Sequence, residues 1–290
     1  MKPINFVRIP GLYGEIIDSF INPIIPFLPE LKVSSDCLEN AVNIVFFVES
    51  DFYNPKGTVI LMSHGIADKT WRNGSRVSKF DYVFVSGVKW VKKMLNEGIP
   101  EKRILVNGYT KLDPIFQGKI KKTPSNKKRI LWAPTHNMEL KTKDTACSYP
   151  ALEPFFKNIS EQYEVLISLH PANKKGKSPT LQLLADADIV VADSGSTLYE
   201  AWALGKQVVF PDWLIKDRIL KFDTFEKKIF QKRIGLHANN EKELMELIEY
   251  GLTTPLSKEV KNFIDGIFTP ELRGKSGERT AEILKEIAKN

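Results

Sequence analysis

Short apolar, β-branched runs alternate along this chain with segments of helical period, and that alternation constrains the fold more than any other feature. It is the pattern of βαβ units wound onto parallel sheets. In the first half the runs predict strands over Val42 to Glu49, Thr58 to His64, Tyr82 to Gly87 and Arg103 to Gly108. The helix predicted over Val88 to Asn96 meets Gly98, a residue suited to a left-handed terminator. In the second half, strands are expected at Arg129 to Thr135, Tyr163 to His170, Asp188 to Asp193, Gln207 to Phe210 and Ile234 to His237. Helices follow at Glu241 to Tyr250, Ser257 to Ile264 and Gly277 to Ala288.

Between the halves, Gly118 to Lys128 (GKIKKTPSNKK) has no apolar periodicity and reads as a flexible linker. The chain has 290 residues, and at about 100 to 200 residues per domain that length favours two domains. The expected division is an N-terminal Rossmann-like domain over 1–120 and a C-terminal one over 127–290 that carries the last helices. In open parallel sheets ligands settle beyond the carboxyl ends of the strands, so chemistry is expected at strand ends, in a cleft between the halves.

Composition excludes several classes. With 42% hydrophobic and 27% charged residues the chain is neither disordered nor fibrous. Cys37 and Cys147 lie far apart, without the spacing of a zinc site or disulfide framework, which fits a reducing cytoplasmic setting. No signal peptide opens the chain and no apolar run of about 18 residues occurs. The net charge of +7 is local: sixteen Lys/Arg against four Asp/Glu from Lys69 to Arg129, but four against eight over residues 1–68. Such a belt suits phosphate-bearing ligands, an anionic membrane surface or nucleic acid, or is a solvated face. Near the N-terminus Leu12, Ile16, Ile17 and Phe20 share one helical face, for interior packing or for docking on a bilayer.

Two segments carry chemistry. His64 and Gly65 close the strand TVILMSH, and the following loop brings Asp68, Lys69 and Arg72. A strand-end histidine can take a proton from an attacking hydroxyl, and the cations can steady phosphate charge. The second segment, Asp186 to Trp213, reads strand, tight loop, helix, strand. Its loop of Asp193, Ser194, Gly195, Ser196 and Thr197 offers amides and hydroxyls at a helix N-terminus, a natural phosphate site. Glu200, one turn on, is placed to accept from a ribose. The alternative is that Ser196 or Thr197 caps the helix with support from Glu200.

His136 and His170 also end strands, ILWAPTH and YEVLISLH, leaving only His237 elsewhere. No HxH or HExxH spacing marks a metal, and no GxGxxG, Walker or GxSxG motif marks a dinucleotide enzyme, an ATPase or a hydrolase. No cofactor is expected. No zinc finger, RRM or KH signature supports nucleic-acid binding.

In this order, His64-Gly65, FDYVFVSG, RILVNGYTKLDPIF, ILWAPTH, Leu169-His170-Pro171 and the Asp193-x-x-Ser196 loop resemble the CDP-glycerol glycerophosphotransferase family of teichoic-acid and capsule polymer enzymes. The resemblance runs from about Val59 to Trp213. It implies an α/β, GT-B-like fold of two Rossmann-like domains with parallel sheets facing across a cleft. It also implies a CDP-linked donor and a polyol-phosphate, lipid-linked or other anionic acceptor, at the inner face of the membrane. His64 becomes the general base and His170 a phosphate-contacting or leaving-group residue. The Asp193, Ser196 and Thr197 loop becomes the pyrophosphate site. The chain departs from the family pattern at Ser63, where Trp is common, at Asn137, where Arg is, and at Gly195, where Ser is. Ser194 to Gly205 is also similar to the nucleotide loop of UDP-N-acetylglucosamine 2-epimerases and other GT-B glycosyltransferases. The alternative function is therefore transfer or epimerisation of a UDP- or other nucleotide-linked sugar, with nucleic acid among the conceivable acceptors.

Overall fold

A computed structural model describes residues 1–28, 30–49, 53–63, 65–68, 74–135, 147–170, 180–221 and 223–289. The chain forms two compact units, one of residues 1–65, 71–119 and 265–290, the other of 66–70 and 120–264.

The first unit holds a six-stranded parallel sheet. Its strands are β1 (Ile4–Val7), β2 (Lys32–Ser34), β3 (Val42–Val45), β4 (Thr58–Leu61), β5 (Tyr82–Val85) and β6 (Ile104–Val106), in the order β2-β1-β3-β4-β5-β6. β1 and β3 are buried at every position, as parallel strands covered on both faces are. The helices are α1 (Leu12–Ile21), α2 (Gly74–Val77), α3 (Val88–Asn96) and α4 (Asp113–Phe116). α3 matches its expected span, and Gly98 takes φ +85° as its terminator. On α1, Ile17 and Phe20 are buried, and the Phe20 ring meets Tyr109 edge-on at 5.3 Å. Ile17 and Phe20 of that stripe are thus spent on the interior, as the packing reading expects, while Ile16 stays half-exposed.

The second unit holds β7 (Arg129–Ala133), α5 (Glu153–Ile159), β8 (Glu164–Ile167), α6 (Thr180–Asp186), β9 (Ile189–Ala192), α7 (Ser196–Ala203), β10 (Val208–Pro211), α8 (Asp212–Ile219), α9 (Phe225–Lys232), β11 (Leu236–Ala238) and α10 (Glu241–Thr253). Its five parallel strands run in the order β11-β10-β9-β7-β8. Trp132 anchors the core, stacked on Phe156 at 4.7 Å with its indole N–H donating to Ser148 Oγ at 3.0 Å.

α11 (Lys258–Ile267) ends in the region where the chain rejoins the first unit, and α12 (Ser276–Lys289) packs there. The sequence expectation kept these last residues with the C-terminal domain. What draws them back is a set of buried polar bonds. Ser86 Oγ donates to Ile267 O at 2.6 Å, Ser276 Oγ accepts from Tyr109 N at 2.9 Å, and Asp113 accepts from Gly274 N at 3.1 Å and Gly277 N at 2.7 Å. A side chain at Gly87 would meet Ile267 O at 2.6 Å, so glycine is what lets that backbone approach β5.

The lysine-rich stretch before β7 has no helix or strand, as expected, but it is bound down. Thr123 N and Oγ1 both donate to Asp186 Oδ1, Lys122 pairs with Asp188, and Arg129 bridges Glu164 at 2.7 Å and Thr123 O at 2.7 Å. Part of the basic belt is thus neutralised within the second unit.

Candidate functional site

In the second unit the strand order changes direction between β7 and β9, and doubly wound sheets bind ligands beyond the carboxyl ends at such a point. The register pairs Ala133 with Ala192 and Trp132 with both Val191 and Ile167. Residues 134–135, 193–196 and 168–170 therefore leave the sheet along one edge.

At the crevice itself, α7 begins at Ser196 after an N-cap Gly195, and no side chain caps it. Helix N-termini carry orphan N–H groups and a positive dipole end, which favour an anion. Ser194, Gly195, Ser196 and Thr197 are all half-exposed. Gly195 has φ −88°, which any residue adopts, and a Cβ there would meet only Thr135 Oγ1, 4.0 Å away. The open space over Gly195 is therefore a property of the site and not a demand of the backbone.

Asp193 has a different role from the one its motif suggests. Its side chain has no exposure, and Oδ2 accepts from Thr135 N and Ser148 N, both at 2.9 Å. Burial pushes its carboxyl up to about 6, against those amides, which favour the charged form. Asp193 braces the end of β7 against the loop that opens α7, with its carboxyl turned into the core. Glu200 is also fully buried, so the ribose contact expected of it is withdrawn: this position lies on the core side of α7.

Ser196 is not a cap. Its Oγ accepts from Ile66 N at 3.0 Å and Ala67 N at 3.3 Å. A hydroxyl that accepts twice still has its own hydrogen to donate. Gly65 is half-exposed, whereas Asp68 is buried, with Oδ2 accepting from Phe225 N at 2.8 Å. The Asp68 amide donates to Glu226 Oε1 at 3.0 Å. Glu226 escapes a reading of the sequence because its partner lies 158 positions away and the local pattern DTFEKK says only helix start.

His170 is half-buried three residues beyond β8. His64, Lys69, Arg72 and His136 lie outside the described residues. His237 is buried against Asp212, Nδ1 to Oδ1 2.8 Å, and belongs to the core. Among the described residues no cluster of His, Cys, Asp or Glu has the make-up of a metal site, and no helix is long and apolar enough to cross a membrane.

No family model and no curated protein matches the chain. Solved structures do. The wall teichoic acid polymerase TagF superposes with a TM-score of 0.70 at 15% identity, over 99% of this chain and 89% of that one. The UDP-GlcNAc 2-epimerase from Methanocaldococcus jannaschii superposes at 0.52 with 16% identity, over 98% and 99%. The S. aureus MnaA–UDP structure gives 0.56 with 13% identity, over 99% and 97%. At such identities the likeness is one of fold, and the chain has the GT-B-like architecture of two parallel α/β sheets.

Proposed function

We propose that this protein is a GT-B-type transferase that moves glycerol phosphate from CDP-glycerol to a hydroxyl of a cell-surface polymer or lipid-linked acceptor. The observation that carries the reading is the uncapped N-terminus of α7 at the β7/β9 switch point, beside the open face of Gly195. That arrangement suits a diphosphate, held by the first amides of α7 and by the hydroxyls of Ser194, Ser196 and Thr197. TagF, which has the highest TM-score of the fold relatives quoted above, has also been solved after a CDPG soak.

In this mechanism the acceptor oxygen attacks the phosphorus nearest the glycerol, its proton passes to His64, and the P–O bond to CMP breaks. General base help is worth about 10²- to 10⁴-fold. Positioning and charge stabilisation supply the rest, from the α7 N-terminus, His170, Lys69 and Arg72. His136 completes the donor side. The basic belt gives anionic acceptors, and an anionic membrane face, an attractive field.

A second reading, glycosyl transfer or epimerisation on a UDP-linked sugar, is favoured by the Gly195 opening and by the fold shared with MnaA, solved with UDP. Product analysis separates the two. Incubation with CDP-glycerol and an acceptor should release CMP, whereas release of a nucleoside diphosphate from a nucleotide sugar, with CDP-glycerol inert, would replace the first reading by the second. Calorimetric titration of CDP against UDP ranks the donor base directly.

A further inference from the structure

Residues 66–68 follow β4 in sequence yet belong to the second unit, and each of their three backbone amides is claimed by a side chain of that unit. Ser196 Oγ takes Ile66 and Ala67, and Glu226 Oε1 takes Asp68. The Asp68 carboxylate answers by accepting from Phe225 N, so Asp68 and the start of α9 clasp each other from both sides. Both carboxyl side chains are 3% exposed.

Two carboxyls buried side by side are costly. Burial, then the charge of Asp68, raises the pKa of Glu226, while the Tyr199 hydroxyl works the other way. An apolar pair would pack there without that cost, so what the carboxyls supply is directional acceptors for amides. Nor is Asp68 needed to start α9. Thr224 already caps that helix, its side chain accepting from Lys227 N at 3.1 Å.

We propose that Asp68 and Glu226 are positioning residues that lock the 66–68 backbone onto the start of α9 while Ser196 holds it to the start of α7, so that the segment beginning two residues after His64 and the proposed donor loop are set by one network. The proposal deepens the transfer reading above and rests on it for its effect on turnover. Bonds to buried acceptors of this kind hold backbone amides against exchange by about tenfold.

The test compares wild type with Glu226→Ala and Glu226→Gln by amide hydrogen exchange over residues 66–68, calorimetric CDP affinity and CMP release from CDP-glycerol. Glu226→Ala is expected to speed exchange of these amides at least about tenfold and to lower kcat by a similar factor, with CDP affinity changed less than about twofold. Glu226→Gln, whose amide oxygen accepts the same N–H, is expected to restore both. Unchanged exchange in Glu226→Ala, faster exchange with wild-type kcat, or a folded Glu226→Gln as impaired as Glu226→Ala would each overturn the proposal. If Glu226→Ala does not fold, Asp68→Ala, which removes the bond to Phe225 and leaves the Glu226 acceptor in place, must loosen the same amides for the proposal to stand. Absence of CMP release from wild type sinks the transfer reading, while the exchange comparison still decides whether the lock exists.

Discussion

The amide of Ile66 donates to the hydroxyl of Ser196 at 3.0 Å across 130 positions of sequence, and Ala67 shares the same oxygen. The residue that the motif marks for a phosphate is thus also the residue that holds the loop following β4. Removing it has two effects. Ser196→Ala leaves two amides without their acceptor, at about 1 to 3 kcal/mol for a buried group, and deletes one hydroxyl from the proposed donor loop. Calorimetry should show CDP binding weakened by about tenfold, and an unchanged affinity would confine Ser196 to holding the loop.

Gly195 offers a cleaner separation of stability from binding. A methyl group there meets only Thr135 Oγ1 at 4.0 Å, and the backbone is in an ordinary conformation. Gly195→Ala should melt within about 0.5 kcal/mol of wild type, as an unstrained surface change does, yet bind CDP more weakly because the methyl occupies the face a diphosphate would approach. Equal affinity would place the ligand elsewhere.

His64→Ala is expected to lower CMP release by at least about two orders of magnitude with donor affinity nearly unchanged, as loss of a general base requires. Near-normal turnover removes His64 from the mechanism.

Asp193 makes stability depend on pH in a predictable direction. Its folded pKa, about 6, lies above the ordinary carboxylate value, so the folded state holds the proton more tightly. Its contribution is fully present below about pH 4 and is lost as pH rises through 6, in total on the order of 3 kcal/mol. Denaturant midpoints of wild type relative to Asp193→Asn, which cannot ionise, should therefore fall between pH 4 and pH 7. A difference that stays flat over that range would show that the carboxyl is ionised throughout.

Asp113 is buried and takes Gly274 N and Gly277 N at the start of α12. Asp113→Ala orphans both, so a loss of about 3 kcal/mol is expected in denaturant unfolding, with the C-terminal residues losing protection first. Uniform exchange across the chain would argue against a local anchor.

Much of the architecture is legible in the chain because parallel strands buried on both faces must be written as short apolar runs. The β9 run, the α3 span and its Gly98 stop all sit where periodicity puts them. β2 escapes notice for a physical reason: Lys32–Ser34 is an edge strand with two exposed residues, so burial leaves little mark on its composition. The Asp193 to Thr197 loop is legible as a helix start after a strand, since that local geometry needs only neighbours in sequence.

What the sequence determined, then, is the class of each local element and the strand ends at which chemistry can sit, because hydrophobic period and turn chemistry act over a few residues. Tertiary structure alone decided that Asp193 and Glu200 turn inward, that residues 265–290 rejoin the first sheet, and that Glu226 clasps Asp68. Those outcomes depend on which distant amide or surface fills a given space. A hydrogen bond spanning 158 residues leaves no period in the chain that encodes it.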